Sequence, residues 1–164
     1  MPPLLGTAET RKERGIRIHA FMEKCDLSKT AESAVLAEMR LFVERGELIE
    51  EDLSSAPAIS RILSSSVMEE VRKGEIFRER EFTMLYPVEG QENAVVQGVI
   101  DLLSVTEDGI IIVDYKNSTL ADEELITTYQ QQLDLYAEAA YRFYGIKIKK
   151  KVIINLTNES VLTV

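Results

Sequence analysis

Hydrophobic residues return along this chain with two different periods. Residues 13–24 have helical composition, and a second helix is expected after Ser28 or Thr30, either of which can cap it with a side-chain oxygen. There Val35, Met39, Phe42 and Val43 recur at the spacing of one helical face, and Gly46 is placed to end the helix. Pro57 suits a first helical turn and opens a third segment, with Ile59, Ile62, Leu63 and Val67 along one side. The pattern then changes. Residues 75–86 and 95–105 read as strands, and Glu107-Asp108-Gly109 is a turn signal between two apolar runs, which predicts a hairpin. The next strand, 109–116, contains the unbroken run Ile110-Ile111-Ile112-Val113, as suits a strand covered on both faces. The helical period resumes over 122–144, with Leu125, Tyr129, Leu133, Tyr136, Ala140 and Phe143 as its apolar stripe. Gly145 stops it, and strands over 149–156 and 161–164 close the chain. This order predicts an α/β protein whose mixed β-sheet is flanked by helices.

The chain has 164 residues, a length that suits one domain. Residues 1–12 read as a loose lead-in and 13–164 as the folded domain. Hydrophobic residues make up 45 %, enough for a real core. No apolar run approaches the roughly 18 residues of a membrane span, and the N-terminus lacks the apolar core of a signal peptide, so no membrane partner is expected. The one cysteine, Cys25, cannot form an internal disulfide, nor hold an iron–sulfur cluster, which takes about four thiolates. A reducing, cytoplasmic setting is expected. The formal net charge of -9 points away from nucleic acid. Two things can offset it: a bound divalent cation among the acidic residues, or a local basic patch. Lys147, Lys149, Lys150 and Lys151 form either such a patch or an ordinary solvated strand end.

Candidate chemistry starts at Asp114-Tyr115-Lys116. Residues two apart on a strand share a face, so Asp114 and Lys116 point one way and Tyr115 the other. Alone, the pair reads equally as a strand-end ion pair. Asp101 changes the picture, because the hairpin brings it near Asp114. Two carboxylates a few ångström apart repel unless a cation lies between them, and hard oxygen ligands in an incomplete cage describe a magnesium or manganese site. A lysine beside such a site can orient a water or stabilise charge on a phosphorane. Gly98, three residues before Asp101, weakens a strand and marks a close approach. His19, the only histidine, lies four residues after Gly15 and shares its helix face; taken singly it reads as a structural histidine. Gln132 and Tyr136 have the same spacing on the long helix.

Taken together, Gly15…His19, Gly98…Asp101, Asp114-Tyr115-Lys116 and Gln132…Tyr136 resemble, in order and separation, the motifs of the RecB-like branch of the PD-(D/E)XK nucleases. Phe77-Arg78-Glu79-Arg80-Glu81-Phe82 looks like the Glu-containing strand that precedes Gly-x-x-Asp in that family. The segment from Tyr129 to Ala139 is similar to the C-terminal nuclease domain of AddA-type (exonuclease V beta-like) helicase–nuclease subunits. The resemblance implies a restriction-endonuclease-like fold and a Mg2+-dependent deoxyribonuclease, with Mn2+ able to substitute. It implies His19, Asp101, Asp114 and the Tyr115 carbonyl as metal ligands, with Asp101, Asp114 and Lys116 as catalytic residues. Glu79, Gln132 and Tyr136 would support the site and touch DNA, and Lys147, Lys149 and Lys150 would guide the strand. The implied partners are single-stranded DNA, a helicase motor N-terminal to the nuclease, and a second, AddB-like subunit. Together they would work on double-strand ends in recombinational repair. Two alternatives stand beside this: an inactive DNA-binding or scaffolding domain of the same fold, and a stand-alone repair nuclease. Asn117 stands where many relatives have threonine or serine, which bears on the turn more than on the chemistry, and Glu81 stands where proline is common. No phosphate loop of a motor appears in the chain.

Overall fold

The computed structural model describes residues 8–164, with side chains from Thr10. Residues 1–7 of the expected lead-in lie outside the described residues. The remainder of that stretch is helical, because α1 spans Ala8–Lys24 rather than starting at Glu13. Ala8, Arg11 and Lys12 are strong helix formers and extend it. The described residues form two compact units. The first holds the described residues up to Glu69 together with Tyr115–Thr119 and Ile154–Val161; the second holds Glu70–Asp114, Leu120–Ile153 and Leu162–Val164.

The first unit is built on helices. After α1 come α2 (Glu32–Glu44), a 3-10 helix (Glu50–Ser55) and α3 (Ala56–Leu63), with α4 (Ser66–Arg72) beginning at its end. The expected cap on α2 is absent. Ala31 occupies that position, while the Ser28 hydroxyl donates to Asp26 and the Thr30 carbonyl accepts from Ser60. Val67 belongs to α4, not to the helix that Pro57 opens. Phe21 packs edge-on against Phe42 at 4.9 Å, among buried Met22, Val35, Met39 and Ile59. A partly buried ion pair ties α1 to the 3-10 helix: Arg17 donates to Asp52 through Nε at 2.7 Å and Nη2 at 3.0 Å. Burial opposes ionisation of Asp52, yet the bonds from Arg17 and from the Ile49 N–H hold its pKa below the usual value.

The strands are β1 (Glu75–Tyr86), β2 (Ala94–Thr106), β3 (Gly109–Lys116), β4 (Ile148–Asn155) and β5 (Ser160–Thr163), adjacent in that order in one sheet. β1–β2 and β2–β3 are antiparallel. The β2–β3 turn is Glu107-Asp108, closed by the Thr106 hydroxyl donating to the Gly109 carbonyl at 2.7 Å. Gly109 has φ +131, and a Cβ there would lie 2.8 Å from the Lys147 carbonyl oxygen. Ile110 N donates to Lys147 O and Leu156 N to Lys116 O. Partners thus rise together along both strands, so β3 and β4 run parallel and the sheet is mixed, as the element order predicts.

In the second unit, α5 (Asp122–Tyr144) packs Leu125, Leu133, Tyr136 and Ala140 onto Ile100, Leu103, Ile110, Ile112 and Ile153 of the sheet. Gly145 ends the helix in the left-handed conformation, φ +67. Phe143 departs from the expected stripe and is 71 % exposed. The Arg80 guanidinium lies over its ring at 5.4 Å and over Phe77 at 4.8 Å. No described helix is long and apolar enough to cross a membrane.

Candidate active site

The register of the hairpin positions the acids. Leu102 pairs with Val113, and the ladder continues to Thr106 and Gly109 at the turn. One residue beyond Leu102 and Val113, the same register sets Asp101 across from Asp114. Facing residues on antiparallel strands have Cβ atoms about 5 Å apart. Asp114 is 3 % exposed and Asp101 half-buried. Both bear on Tyr136 of α5, whose pKa is pushed up to about 12, first by burial and then by the charges of Asp114 and Asp101. The phenol therefore stays protonated near neutrality. The second unit thus brings together three of the residues singled out in the sequence: Asp101, Asp114 and Tyr136. Gln132, one turn earlier on α5, is half-buried.

Gly98 makes room for this arrangement. A Cβ there would stand 2.8 Å from the Phe82 ring and 3.2 Å from Cε1 of Tyr136. The close approach comes from two rings, which meet edge-on at 5.6 Å, rather than from a backbone. On β1, Arg78 pairs with Leu102 and Arg80 with Ile100. Between those pairs lie Glu79 and Asp101. Glu79 is exposed and has φ +51, a left-handed conformation, while the register is the same on both sides of it.

In the first unit, His19 lies edge-on to Tyr115 at 5.8 Å between ring centroids. Its Nδ1 is 2.7 Å from Glu23 Oε1. A carboxylate accepts, so Nδ1 carries the hydrogen of that bond and the ring is held in one orientation. Glu23 is a residue that the sequence motifs do not single out, although its spacing of four residues after His19 on one helix is a legible signal. Asn117 does more than shape the turn. Its Nδ2 donates to the Gly15 carbonyl at 3.0 Å, and a Cβ on Gly15 would meet Asn117 Cγ at 3.1 Å. The end of β3 and α1 are therefore latched one helical turn before His19. Buried Asn155 holds the next residue, accepting from Ser118 N and donating to Ser118 O. Lys116, at the last position of β3, is half-buried.

The lysine cluster is not a bare patch. Lys149 and Lys150 both contact Glu70, at 2.9 and 2.6 Å, and Lys151 contacts Asp134 at 2.5 Å. The two lysines hold the Glu70 pKa down at about 2 through their hydrogen bonds. With Lys149 also 3.5 Å from Asp108, three of the four lysines meet three carboxylates within the chain.

Residues 2–156 match the PD-(D/E)XK nuclease superfamily. An ATP-dependent helicase/nuclease subunit from Alkaliphilus oremlandii is 31 % identical over 160 residues, covering 88 % of this chain and 13 % of that protein. Its counterpart of the same name from Carboxydothermus hydrogenoformans is 33 % identical over 162 residues, covering 88 % and 14 %. The counterpart from Streptococcus sanguinis is 32 % identical over 161 residues, covering 94 % and 13 %. The chain thus spans 13–14 % of the length of these relatives. Among solved structures, "Crystal structure of SSO0001" overlays with a TM-score of 0.42 at 15 % identity, covering 96 % of this chain and 77 % of that one. Since the superfamily match runs through nearly every element described above, this chain belongs to the PD-(D/E)XK nuclease superfamily.

Proposed function

We propose that this chain is a metal-dependent nuclease that hydrolyses DNA phosphodiester bonds. The observation that carries the reading is the facing of Asp101 and Asp114 on β2 and β3, with both charges felt at Tyr136. Carboxylates so arranged call for a cation, and the hard oxygen donors fit magnesium, with manganese as a substitute. Asp101, Asp114 and His19 would hold the ion, with the Tyr115 carbonyl as a further oxygen ligand. Support for His19 is that Glu23 holds its ring through Nδ1 and that the ring packs on Tyr115, the residue after Asp114. When bound, the ion supplies Lewis-acid polarisation of the phosphodiester and a lowered pKa for water.

The chain's own residues do the rest. Lys116 shares a strand face with Asp114, and its ammonium orients the attacking water and offsets charge on the phosphorane. Water adds to phosphorus and the P–O ester bond breaks, giving a phosphate monoester and a free hydroxyl. Tyr136, protonated at working pH, donates its phenolic hydrogen to a phosphate oxygen. Gln132 extends that contact one turn along α5, and Glu79 supports the site from β1.

The relatives named above are helicase/nuclease subunits. We extend their context to this chain: a cytoplasmic setting, a helicase motor N-terminal to it, a second subunit of AddB type, and processing of double-strand ends for recombinational repair. The strand so delivered would be single. The direct test is incubation of the chain with single-stranded oligonucleotide and magnesium, with and without chelator. Cleavage that needs the metal and is lost in Asp114→Asn is the expected result. DNA left whole with magnesium and with manganese would overturn the reading in favour of a scaffolding domain.

A further inference from the structure

We infer that a groove on the first compact unit grips the sugar-phosphate backbone of the single DNA strand next to His19; this rests on the nuclease reading above. The groove has a volume of about 1060 Å³ and is lined on one side by Arg11, Lys12 and Arg14 of α1, with His19 further along that helix. That volume is at the upper limit of small-molecule pockets, about 300–1,000 Å³, and suits a polymer. Ser118, Thr119 and Thr157 add hydroxyl donors from the loops that follow β3 and β4.

Charge decides what the groove accepts. The chain as a whole carries -9 and repels DNA. Within the groove the balance is reversed. Its carboxylates are Glu23 and Glu159. Glu23 is engaged by His19, and Glu159 by Arg61 at 2.6 and 2.7 Å. Arg14 bonds to the neutral hydroxyls of Ser54 and Ser55, which fix its guanidinium without cancelling its charge. Arg11 and Lys12 are exposed on the same helix. The lysines of β4 have the opposite character, since Glu70, Asp108 and Asp134 offset them.

The ligand class follows from what lines the groove. Among the described residues there are cations and hydroxyls for phosphate and sugar, and aliphatic side chains such as Ile16 and Ile59, but no Phe, Tyr or Trp. Base stacking, which carries much of the affinity in many single-strand channels, has no platform here. Recognition is by backbone charge and is independent of sequence.

Binding is measured on the full chain with labelled oligo-dT, with chelator present so that nothing is cut. Log affinity is followed against log salt for the wild type and for Arg11→Gln/Lys12→Gln/Arg14→Gln. Each phosphate contact on a single strand contributes a slope of about 0.7, so the triple variant should lose a slope of about 2. Oligo-dA and oligo-dC should bind within a few-fold of oligo-dT. Thr157→Glu, which adds a negative charge from the facing loop and leaves the cations untouched, should weaken binding at low salt. Lys149→Gln/Lys150→Gln should keep the wild-type slope. Wild-type slopes in the triple variant and wild-type affinity in Thr157→Glu would overturn the groove. So would a slope lost only in the β4 variant, or a triple variant that keeps DNA affinity and loses a protein partner. Failure of the wild type to cut with magnesium, with these slopes as expected, would instead count against the nuclease reading alone.

Discussion

The register that pairs Leu102 with Val113 sets Asp101 across from Asp114, one residue further from the β2–β3 turn. Facing residues on antiparallel strands have Cβ atoms about 5 Å apart. Both charges act on the Tyr136 hydroxyl, raising its pKa after burial.

Tyr136 is accordingly a reporter of that field. Carboxylates disfavour the phenolate, so Asp114→Asn should lower the Tyr136 pKa from about 12 toward the ordinary 10. It should stop short, because burial is the larger cause and remains. Tyrosinate absorbance in chelator, taken as a difference against Tyr136→Phe, checks it. An unchanged titration would mean that Asp114 does not act on this hydroxyl.

Lys116 separates chemistry from binding. Loss of one transition-state contact costs on the order of 3 kcal/mol. Lys116→Ala should thus cut about a hundredfold more slowly while binding manganese as the wild type does. Calorimetry and single-turnover cleavage read the two properties independently, and a wild-type cleavage rate would remove Lys116 from the mechanism.

Glu23 is predicted to act through His19. Without its carboxylate at Nδ1 the imidazole loses its fixed orientation. Changes of this kind to partners of metal ligands cost about 10–100-fold in affinity. Glu23→Ala should weaken manganese binding in that range, and Glu23→Gln, which still accepts from Nδ1, should recover part of it. If Glu23→Ala binds manganese with wild-type affinity, His19 is not held for this purpose.

Gly98 has no room for a side chain. Gly98→Ala forces the added carbon against the Phe82 and Tyr136 rings. Overpacking of this kind costs about 1–3 kcal/mol, and displacement of Tyr136 should reduce cleavage as well. Chemical denaturation and cleavage of the same variant should show both losses, and a variant of wild-type stability would show that the rings yield freely.

Acid should loosen β4. Glu70 has a folded pKa of about 2, depressed by hydrogen bonds from Lys150 and Lys149. A depressed carboxylate adds stability that is complete above its unfolded pKa of about 4.5 and disappears as pH falls through about 2. Glu70→Gln should therefore flatten the fall in denaturation midpoint between those values, and an identical fall in both proteins would show the ion pairs to be inert.

The sequence by itself determined the elements and the hairpin acids. Periodicity records which face of a segment is buried, and a two-residue turn sets the register of the strands it joins. Glu75–Tyr86, Gly109–Lys116 and Asp122–Tyr144 accordingly stand where the pattern puts them, and Asp101 faces Asp114 by counting back from Glu107-Asp108. Periodicity does not name the partner of a polar group. Asn117 reaches Gly15 across 102 residues, and Lys150 reaches Glu70 across 80. Such pairs depend on which segments tertiary packing brings together, a choice that no local spacing encodes. Likewise the place of Phe143 in the helical stripe was legible, but its exposure and the Arg80 guanidinium over its ring were not. Only the tertiary structure decided that the β4 lysines are offset by carboxylates and that the α1 cations Arg11, Lys12 and Arg14 line a groove.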